Sequence, residues 1–469
     1  PRQTQVVASG TLSTGDTVVV NSDGTVSSVA GSSEAIGSTA TFNSGITDEP
    51  VSVYDANSGK IVVAYRDESN ADYLTAIVGT VSGTSISFGT EVVAHSVGVS
   101  FLAICYDSNS NKVVIAYKDQ GGSNYGNAIV GTVSGTSISF GSSVVFNTGG
   151  SEYMAATFDS SNNKVVISYS DQGNSNYGTA IVGTVSGTSI SFGTSVVFES
   201  SDGVYIASAF DTNSNKVVIF YRDQGNSFQG TGIVGTVSGT SISFGTPAVF
   251  SGGNIAQRMA CVFDSSSNKI VVSYQDNSAS NVGKAFVATV SGTSLSFGTV
   301  VAFTTSAIRN SVVGYNSSAN QIVIAYRDDG NSGYGTLITA SVSGTSISFD
   351  SPTVFETATT DPQGLPYDTT NEKLVLTFRG TSNYGYALVF QSGSTNLTAE
   401  NYIGTAKSGA ADGDGVVVNT QGNVDTGQTG LTAGQSYYVQ TDGTITTTAG
   451  DPSVFAGTAV SATKLIVKG

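Results

Sequence analysis

The sequence has little of several residue types that often carry function. It contains no tryptophan, one histidine and two cysteines, and only 11% of its 469 residues are charged, against about 25% in an ordinary soluble domain. The formal net charge is −16 with no offsetting basic stripe, so an acidic surface that repels phosphate argues against a nucleic-acid partner. No apolar run approaches the roughly 18 residues that span a bilayer, so we expect no membrane span.

The shortage of histidine also bears on catalysis. A Ser-His arrangement has only His95 as a base, which stands alone in a variable segment. Glycosidase chemistry needs two opposed carboxylates, and no such pair stands out from the repetitive pattern. We therefore expect a non-enzymatic protein with no catalytic residues and no cofactor. The chain starts at Pro1 without a methionine, which leaves open whether a leader precedes it.

What the sequence does contain is repetition. The stretch VGTVSGTSISFG at 78–89 recurs unchanged at 130–141, 182–193 and 234–245, and looser copies occupy 288–298 and 340–350. Each unit of about 52 residues has four short apolar runs separated by turn residues, and Val, Ile, Tyr and Phe favour strands. The second run appears seven times, at 60–67, 112–119, 164–171, 216–223, 269–276, 321–328 and 373–380.

Four antiparallel strands in seven repeats predict an all-β fold built on a seven-bladed β-propeller, with essentially no helix. The alternation in Ser85-Ile86-Ser87-Phe88 places Ile and Phe against the neighbouring blade and Ser outward. Cys105 and Cys261 fall in corresponding segments three repeats apart, which favours two buried free thiols over a disulfide.

Repeat 7 lacks the SISFG strand, and its replacement indicates how the ring closes. AIGSTATF at 35–42 matches the end of that strand, so we predict that it completes blade 7, while LTAENYI at 397–403 is a competing candidate. Closure of this kind removes exposed strand edges. The predicted domains are an N-terminal β segment at 1–34, the propeller at 35–403 and a C-terminal β module at 404–469.

Both ends of the chain follow a different pattern. Segments 11–29 and 431–450 match each other, and 409–427 is a weaker copy; each has an alternating strand, an Asp-Gly or Gln-Gly turn and a second strand. Asp-Gly between alternating strands favours a hairpin. The two ends are therefore predicted to build one small β-sandwich or barrel.

The C-terminal segment GLTAGQSYYVQTDGTITTT, followed by AGTAVSATKLIV, resembles the C-terminal module of virion structural proteins from tailed phages, particularly marine ones. ASGTLSTGDTVVVNSDGTVSSV near the N-terminus is similar to strand pairs in the same proteins. The resemblance covers about 70 C-terminal and 30 N-terminal residues. It implies a virion surface location as a fibre or capsid-attached protein, with other virion proteins bound through the terminal module.

One loop position carries an aromatic residue in most repeats. It follows the second strand, and variable connections between blades, such as 95–100 and 147–152, are expected on the same face. Constant scaffolds with variable loops display binding sites, and aromatic rings stack on sugars. The alternative is that each ring packs against its neighbouring blade. The candidate ligand-binding residues are Tyr73, Tyr125, Tyr177, Phe228, Tyr334 and Tyr384, with Val282 at this position in repeat 5.

Two further patterns have structural explanations. Asp-x-Asn-x-Asn turns, such as 107–111 and 211–215, lack the Gly and Glu of a calcium loop, so side chains that cap their own turn are favoured over a metal. Arg66, Lys118, Arg222, Arg327 and Arg379 end successive second strands, a spacing that favours inter-blade ion pairs. The Ser-x-Asp-x-Gly-x-Thr-Trp box of sialidases is absent.

These observations lead to one principal hypothesis and two alternatives. The principal one is a phage virion surface protein, a fibre or decoration, that attaches to host surface glycans; assembly into a homo-oligomer is compatible with it. The first alternative is a capsid or tail decoration protein without a specific ligand. The second is a secreted, lectin-like bacterial adhesin located outside the cell or at its surface.

Overall fold

The computed structural model describes residues 3–32, 34–122, 124–255, 259–450 and 452–468. The chain divides into two compact units, one formed by 36–391 and the other by 1–35 together with 392–469. The boundary after the repeats, expected at 403/404, therefore lies at 391/392. The protein is all-β, and the helices among the described residues are single 3-10 turns. These turns are Glu68–Asn70, Gln172–Asn174, Asn277–Ala279, Asp329–Asn331 and Thr381–Asn383.

Each repeat of the larger unit forms an antiparallel sheet. Its second and third strands are the most regular, because Val and Ile fill both faces of these runs and are buried. The second strands are Lys60–Asp67, Lys112–Asp119, Lys164–Asp171, Lys216–Asp223, Lys269–Asp276, Gln321–Asp328 and Lys373–Arg379. The third strands are Tyr73–Ser82, Tyr125–Ser134, Tyr177–Ser186, Gln229–Ser238, Val282–Ser291, Tyr334–Ser343 and Gly385–Gln391.

The first strands are joined to the preceding repeat. Among the described residues, four strands of 16 residues each pair with the third strand of one repeat and then with the second strand of the next, as Val144–Asp159 does. The first strands are Thr47–Asp55, the later parts of Val92–Asp107, Val144–Asp159, Val196–Asp211 and Val301–Asn316, then Ala260–Asp264, Asp361–Gly364 and Tyr367–Asp368. Ala248–Ser251 and Thr353–Thr359 are the corresponding outer segments of repeats 4 and 6.

In repeats 1 to 6, the repeated SISFG stretch forms the outermost strand of the sheet. These strands are Ser85–Phe88, Ser137–Phe140, Ser189–Phe192, Ser241–Phe244, Ser294–Phe297 and Ser346–Phe349. Ser137 and Ser139 are exposed and Ile138 is buried, as the alternation predicts. Ile138 belongs to a cluster that includes Val62 of repeat 1, so this outer strand packs against the preceding repeat. A Cβ on Gly141 would overlap the Thr188 carbonyl oxygen in the next SGT turn, which explains why both turn and glycine are repeated.

The N-terminal segment supplies the outer strand of repeat 7. Ala40–Asn43 pairs with Gly385–Gln391, and Gly37 meets the Thr84 turn as Gly141 meets Thr188. The competing segment lies elsewhere, since Tyr402–Ala406 pairs with Thr17–Val20 in the terminal unit. One hydrophobic cluster joins Val375 and Val389 of repeat 7 to Ile61 and Val63 of repeat 1.

The described residues of the terminal unit form two five-stranded sheets that share a hydrophobic cluster including Val19, Tyr402, Tyr437 and Val454. One sheet consists of Gln3–Val7, Gly415–Asn419, Tyr402–Ala406, Thr17–Val20 and Val26–Ser28; the other of Val424–Asp425, Lys464–Val467, Val454–Ser461, Ser436–Val439 and Ile445–Thr446. Gly31–Ser32 and Ser394–Thr395 form a further pair.

The turn sequences of the terminal unit behave differently. The Asp-Gly turns at 23–24 and 442–443 close hairpins, the first between Thr17–Val20 and Val26–Ser28 and the second between Ser436–Val439 and Ile445–Thr446. The strands on either side of Gln421-Gly422 instead enter different sheets. Both cysteines are free; Cys105 is buried, but Cys261 is only partly buried. Within the part of the chain that the structure describes, no helix has the length and apolar character needed to cross a membrane.

Candidate ligand-binding site

Strand pairing gathers the functional candidates at one end of each sheet. In repeat 3, Ser151 at the start of the first strand pairs with Asp171, Asp171 pairs with Tyr177, and Tyr177 pairs with Asp202. The beginning of the first strand, the end of the second strand and the beginning of the third strand therefore lie side by side in the sheet. Asp202 belongs to the connection to the next repeat, so the predicted tyrosines and the variable connections occupy the same end.

The predicted outer aromatic residues are half-buried at this end. Tyr73, Tyr125, Tyr177 and Tyr334 begin third strands, and Tyr384 directly precedes one. Phe228 is different. It lies one residue before the strand Gln229–Ser238, so Gln229 holds the position equivalent to Tyr177.

The backbone explains why Phe228 does not belong to the set. Its φ of 62° corresponds to the 60° of Asn176 and the 64° of Asn281, each at the position before the third strand. Asparagine tolerates this left-handed conformation better than a bulky residue does. Phe228 is also 40% exposed, so it replaces a turn residue with an accessible ring.

A cavity of about 330 Å³ lies among the first strands, and sequence reasoning did not find it. Every repeat contributes to its lining. The lining residues are Glu49, Val51, Phe101, Leu102, Tyr153, Met154, Tyr205, Ile206, Met259, Ala260, Ser311, Val312, Pro362 and Gln363. We call this the inner cavity.

A recurrent bulge shapes the inner cavity. The register between first and second strands shifts between Glu152 and Ala155, and Tyr153 within the shift has a φ of 50°. Glu49, Phe101, Tyr205 and Asn310 adopt the same conformation at equivalent bulges. Positive φ at a bulky residue is costly and concentrates at functional sites.

The sequence did carry a signal for this position. The bulge residue lies six residues before the Asp or Asn that ends each first strand, and the seven repeats carry six different residue types there. The successive residues are Glu49, Phe101, Tyr153, Tyr205, Arg258, Asn310 and Pro362, of which Arg258 lies outside the described residues.

One side of the inner cavity is aromatic. The ring centroids of Phe101 and Tyr153 are 5.2 Å apart, and those of Tyr153 and Tyr205 are 4.7 Å apart, both edge-to-face. Lys118 lies 5.7 Å from the Phe101 ring and Arg222 lies 4.8 Å from the Tyr205 ring. Three contiguous rings thus form a continuous apolar wall.

The lining from repeats 6, 7 and 1 places the polar side chains of Glu49, Ser311 and Gln363 among apolar ones. The Leu102 amide donates to Glu49 Oε2 at 3.3 Å. Next to this lining, Asn310 donates to Asp361 Oδ1 at 2.7 Å. The two sides combine a stacking surface with hydrogen-bonding groups.

The charged second-strand ends pair with carboxylates of the first strands. Lys118 binds Glu152 at 2.7 Å, Arg327 binds Asp361 at 3.4 Å, and Arg379 binds Asp48 at 2.8 Å, each across a repeat boundary. The predicted inter-repeat ion pairs are therefore present at these three cations. Arg379 also holds Asp361 at 2.8 Å.

The electrostatics of Asp361 reflect this pairing. Burial alone raises the pKa of Asp361, but Arg379, Arg327 and the hydrogen bond from Asn310 hold that pKa below its usual range. The carboxylate is therefore ionised at neutral pH and occupied by its cations.

The Asp-x-Asn-x-Asn turns use their carboxylates locally. Asp107 Oδ1 accepts from the amides of Asn109 and Ser110 at 2.9 and 3.0 Å, and Asp211 does the same with Asn213 and Ser214. These are Asx turns. Across the described ranges, no group of three or more His, Cys, Asp or Glu side chains is placed to hold a metal.

Comparison with known proteins bears on the fold. No protein family and no curated protein matches the sequence. Among solved structures, the BP39L lectin from Burkholderia pseudomallei is similar at a TM-score of 0.52 and 10% identity, over 73% of this chain and 98% of that one. The fold is all-β and propeller-like.

A mutant of the Aleuria aurantia lectin AAL, in complex with Fucα1-6GlcNAc, is also similar, at a TM-score of 0.43 and 14% identity. The similarity covers 68% of this chain and 98% of that one. Nothing in these comparisons points to a phage virion protein. The virion hypothesis therefore rests only on the sequence resemblance at the two ends of the chain.

Proposed function

We propose that this protein is a non-enzymatic, lectin-like glycan-binding protein whose primary site is the inner cavity. The observation that carries the proposal is the wall of three contiguous rings, Phe101, Tyr153 and Tyr205, opposite polar groups. Sugars have apolar faces that stack on aromatic rings and hydroxyls that need hydrogen-bond partners. The similarity to the BP39L lectin supports the same class of ligand.

The size of the cavity supports a small ligand portion. Small-molecule sites measure roughly 300–1,000 Å³, and the inner cavity lies at the lower limit with about 330 Å³. It suits one or two sugar residues. We propose that the outer residues Tyr73, Tyr125, Tyr177, Tyr334 and Tyr384 contact further residues of longer glycans, and that Phe228 acts separately beside Arg222.

The acidic groups near the cavity favour binding over catalysis. Asp48 and Asp361 are engaged by arginines, which leaves them poorly suited as a general acid. His95 Nε2 lies 3.1 Å from Asp119 Oδ2, but Asp119 also accepts from Asn127 at 3.0 Å. We interpret these contacts as a polar hydrogen-bond network in a connection between repeats.

We propose that the larger unit is a closed, seven-bladed propeller and that the terminal unit is a small β-sandwich. Pairing of Ala40–Asn43 with Gly385–Gln391 and the cluster shared by repeats 7 and 1 support closure. The cluster shared by the two terminal sheets supports the sandwich.

The similarity to a lectin favours an extracellular or cell-surface location, as expected of the adhesin alternative. A place on a phage particle, with virion partners at the terminal unit, rests on the sequence resemblance alone. Immunogold labelling of the source culture separates the two, since label on phage particles supports the virion and label on cells supports the adhesin.

Glycan binding is tested with an array followed by calorimetry on the best ligand. Tyr153→Ala should weaken binding of a mono- or disaccharide about tenfold, which corresponds to about 1.4 kcal/mol. Tyr177→Ala is the matched control at the outer position and should change only the affinity for longer oligosaccharides. A folded wild-type protein that binds no glycan would overturn the proposal.

A further inference from the structure

Arg222 occupies an unusual position between two aromatic rings. Its guanidinium carbon lies 4.8 Å from the centroid of Tyr205 and 5.2 Å from that of Phe228. Tyr205 lines the inner cavity and Phe228 is 40% exposed. Arg222 therefore connects the aromatic wall of the cavity to an accessible ring outside it.

The charge of Arg222 is not compensated as those of the equivalent cations are. Arg66, Lys118, Arg327 and Arg379 each have a carboxylate within 4.0 Å. Among the residues that the structure describes, Arg222 has none; one terminal nitrogen donates to the Ile255 carbonyl at 3.5 Å, and its buried Nε has no partner.

The sequence accounts for the missing carboxylate. The partners of the other cations lie at first-strand positions seven residues before the terminal Asp or Asn, as Asp48, Glu152 and Asp361 do. In repeat 4 this position is Val204, which pairs directly with Arg222 in the sheet. In repeat 5 it is Gln257, which lies outside the described residues. Neither side chain can neutralise a guanidinium.

The hydroxyl groups beside Arg222 are donors. Burial raises the pKa of Tyr153 to about 12, with Tyr205 and Glu152 adding to the rise and Arg222 opposing it. The Tyr153 hydroxyl is therefore protonated at neutral pH. An anion at this place would meet donors in a protein that otherwise carries a net charge of −16.

We infer that the glycan bound here is anionic, with a carboxylate or sulfate ester held by Arg222 and flanking sugar packed on Phe228. The inference rests on the proposed glycan binding. A planar guanidinium fits both anions with two parallel hydrogen bonds, and the flanking rings restrict its orientation. The replacement of a turn residue by Phe228 beside this arginine breaks the symmetry of the repeats, as a specific site requires.

The test compares three versions of one sugar, the neutral oligosaccharide, its uronic acid and its sulfate ester, by calorimetry at constant ionic strength. The wild-type protein should bind one anionic version at least tenfold more tightly than the neutral one. Arg222→Gln should remove this preference, so that the variant binds the neutral and anionic versions with equal affinity, and Arg222→Lys should retain part of it. The preferred anion then identifies the source of the charge.

Arg309→Gln is the matched control, because it removes the same charge from the same end of the sheets and Arg309 is 62% exposed. It should leave the preference unchanged. Equal binding of neutral and anionic versions by the wild-type protein would overturn the inference while glycan binding stands. Binding of none of these and of no array glycan would overturn the proposed function itself. A thermal scan of each variant excludes unfolding as the cause.

Discussion

The ring centroids of Phe42 and Tyr65 lie 5.3 Å apart, almost the 5.2 Å that separates Phe198 from Tyr221. In the second pair, Phe198 lies in the first part of Val196–Asp211, which pairs with the third strand of repeat 3, and packs on Tyr221 of repeat 4. In the first, a residue from before the repeats packs on repeat 1. A Cβ on Gly385 would overlap the Phe42 ring, as one on Gly178 would contact Phe198. The N-terminal segment therefore reproduces the inter-repeat contact in both directions.

This equivalence predicts that Phe42 and Phe198 contribute equally to the free energy of unfolding. Phe42→Ala and Phe198→Ala should each lower the free energy of unfolding by about 3–5 kcal/mol, because each leaves a cavity around a buried ring. Urea unfolding followed by tyrosine fluorescence measures both, with Val93→Ala as an exposed control. A nearly neutral Phe42→Ala would mean that the closing segment is not packed in solution.

Two glycines of repeat 2, one in the SGT turn and one after the outer strand, should differ in how much their replacement by alanine destabilises the protein. Gly135 has a φ of 61° and open space around it, so Gly135→Ala should cost only the conformational penalty of about 1–2 kcal/mol. Gly141→Ala should cost about 3 kcal/mol, since the methyl group would overlap the Thr188 backbone. Equal urea midpoints for the two variants would show that the contact between repeats is loose.

The carboxyl group of Asp361 should make the free energy of unfolding depend on pH in the acidic range. Its folded pKa lies below its unfolded value, so its contribution is complete above about pH 4 and is lost as the pH falls through the folded pKa. Asp361→Asn should lower the free energy of unfolding at pH 7 by about 1–3 kcal/mol, less than a fully buried pair, because Arg327 and Arg379 are partly exposed.

The variant should also lose less stability than the wild-type protein between pH 5 and pH 3. Thermal unfolding across this range measures the difference, and Glu400→Gln, an exposed carboxyl with the same change of charge, is the control. Parallel pH profiles for wild type and Asp361→Asn would contradict the assignment.

The Asx turns predict independence from calcium. Asp211→Ala should cost about 1–2 kcal/mol, since two amides lose their acceptor. Chelation of divalent ions should leave the Tm of the wild-type protein unchanged, and so should millimolar Ca²⁺. A calcium-dependent rise in Tm that Asp211→Ala abolishes would instead identify a metal site.

Much of the fold was predictable because each repeat alternates clear apolar runs with turn residues. The second strand Lys164–Asp171 has the bounds that its apolar run predicts, since turn residues flank Val and Ile on both sides. Strand pairing and burial follow from such local alternation. The weaker Gln421-Gly422 copy was less informative, because the same local turn is compatible with strands that enter one sheet or two.

The inner cavity was not predicted, and the reason is geometric. The left-handed backbone of Tyr153 arises from a register shift against the second strand, which no property of Tyr153 itself encodes. Phe228 was misaligned because one aromatic residue was matched to another. Counting six residues from Asp223 leads to Gln229, as counting from Asp171 leads to Tyr177.

The pairing of Ala40–Asn43 with Gly385–Gln391 has a consequence for how the protein is made. A ribosome produces the closing segment before any repeat, yet its partner strand emerges only after six repeats have been translated. The early repeats can pack on one another during synthesis, but Phe42 must wait for Gly385. Translation thus separates the synthesis of the two paired strands in time, and the emergence of Gly385–Gln391 from the ribosome sets the earliest moment at which the sheet of repeat 7 can be completed.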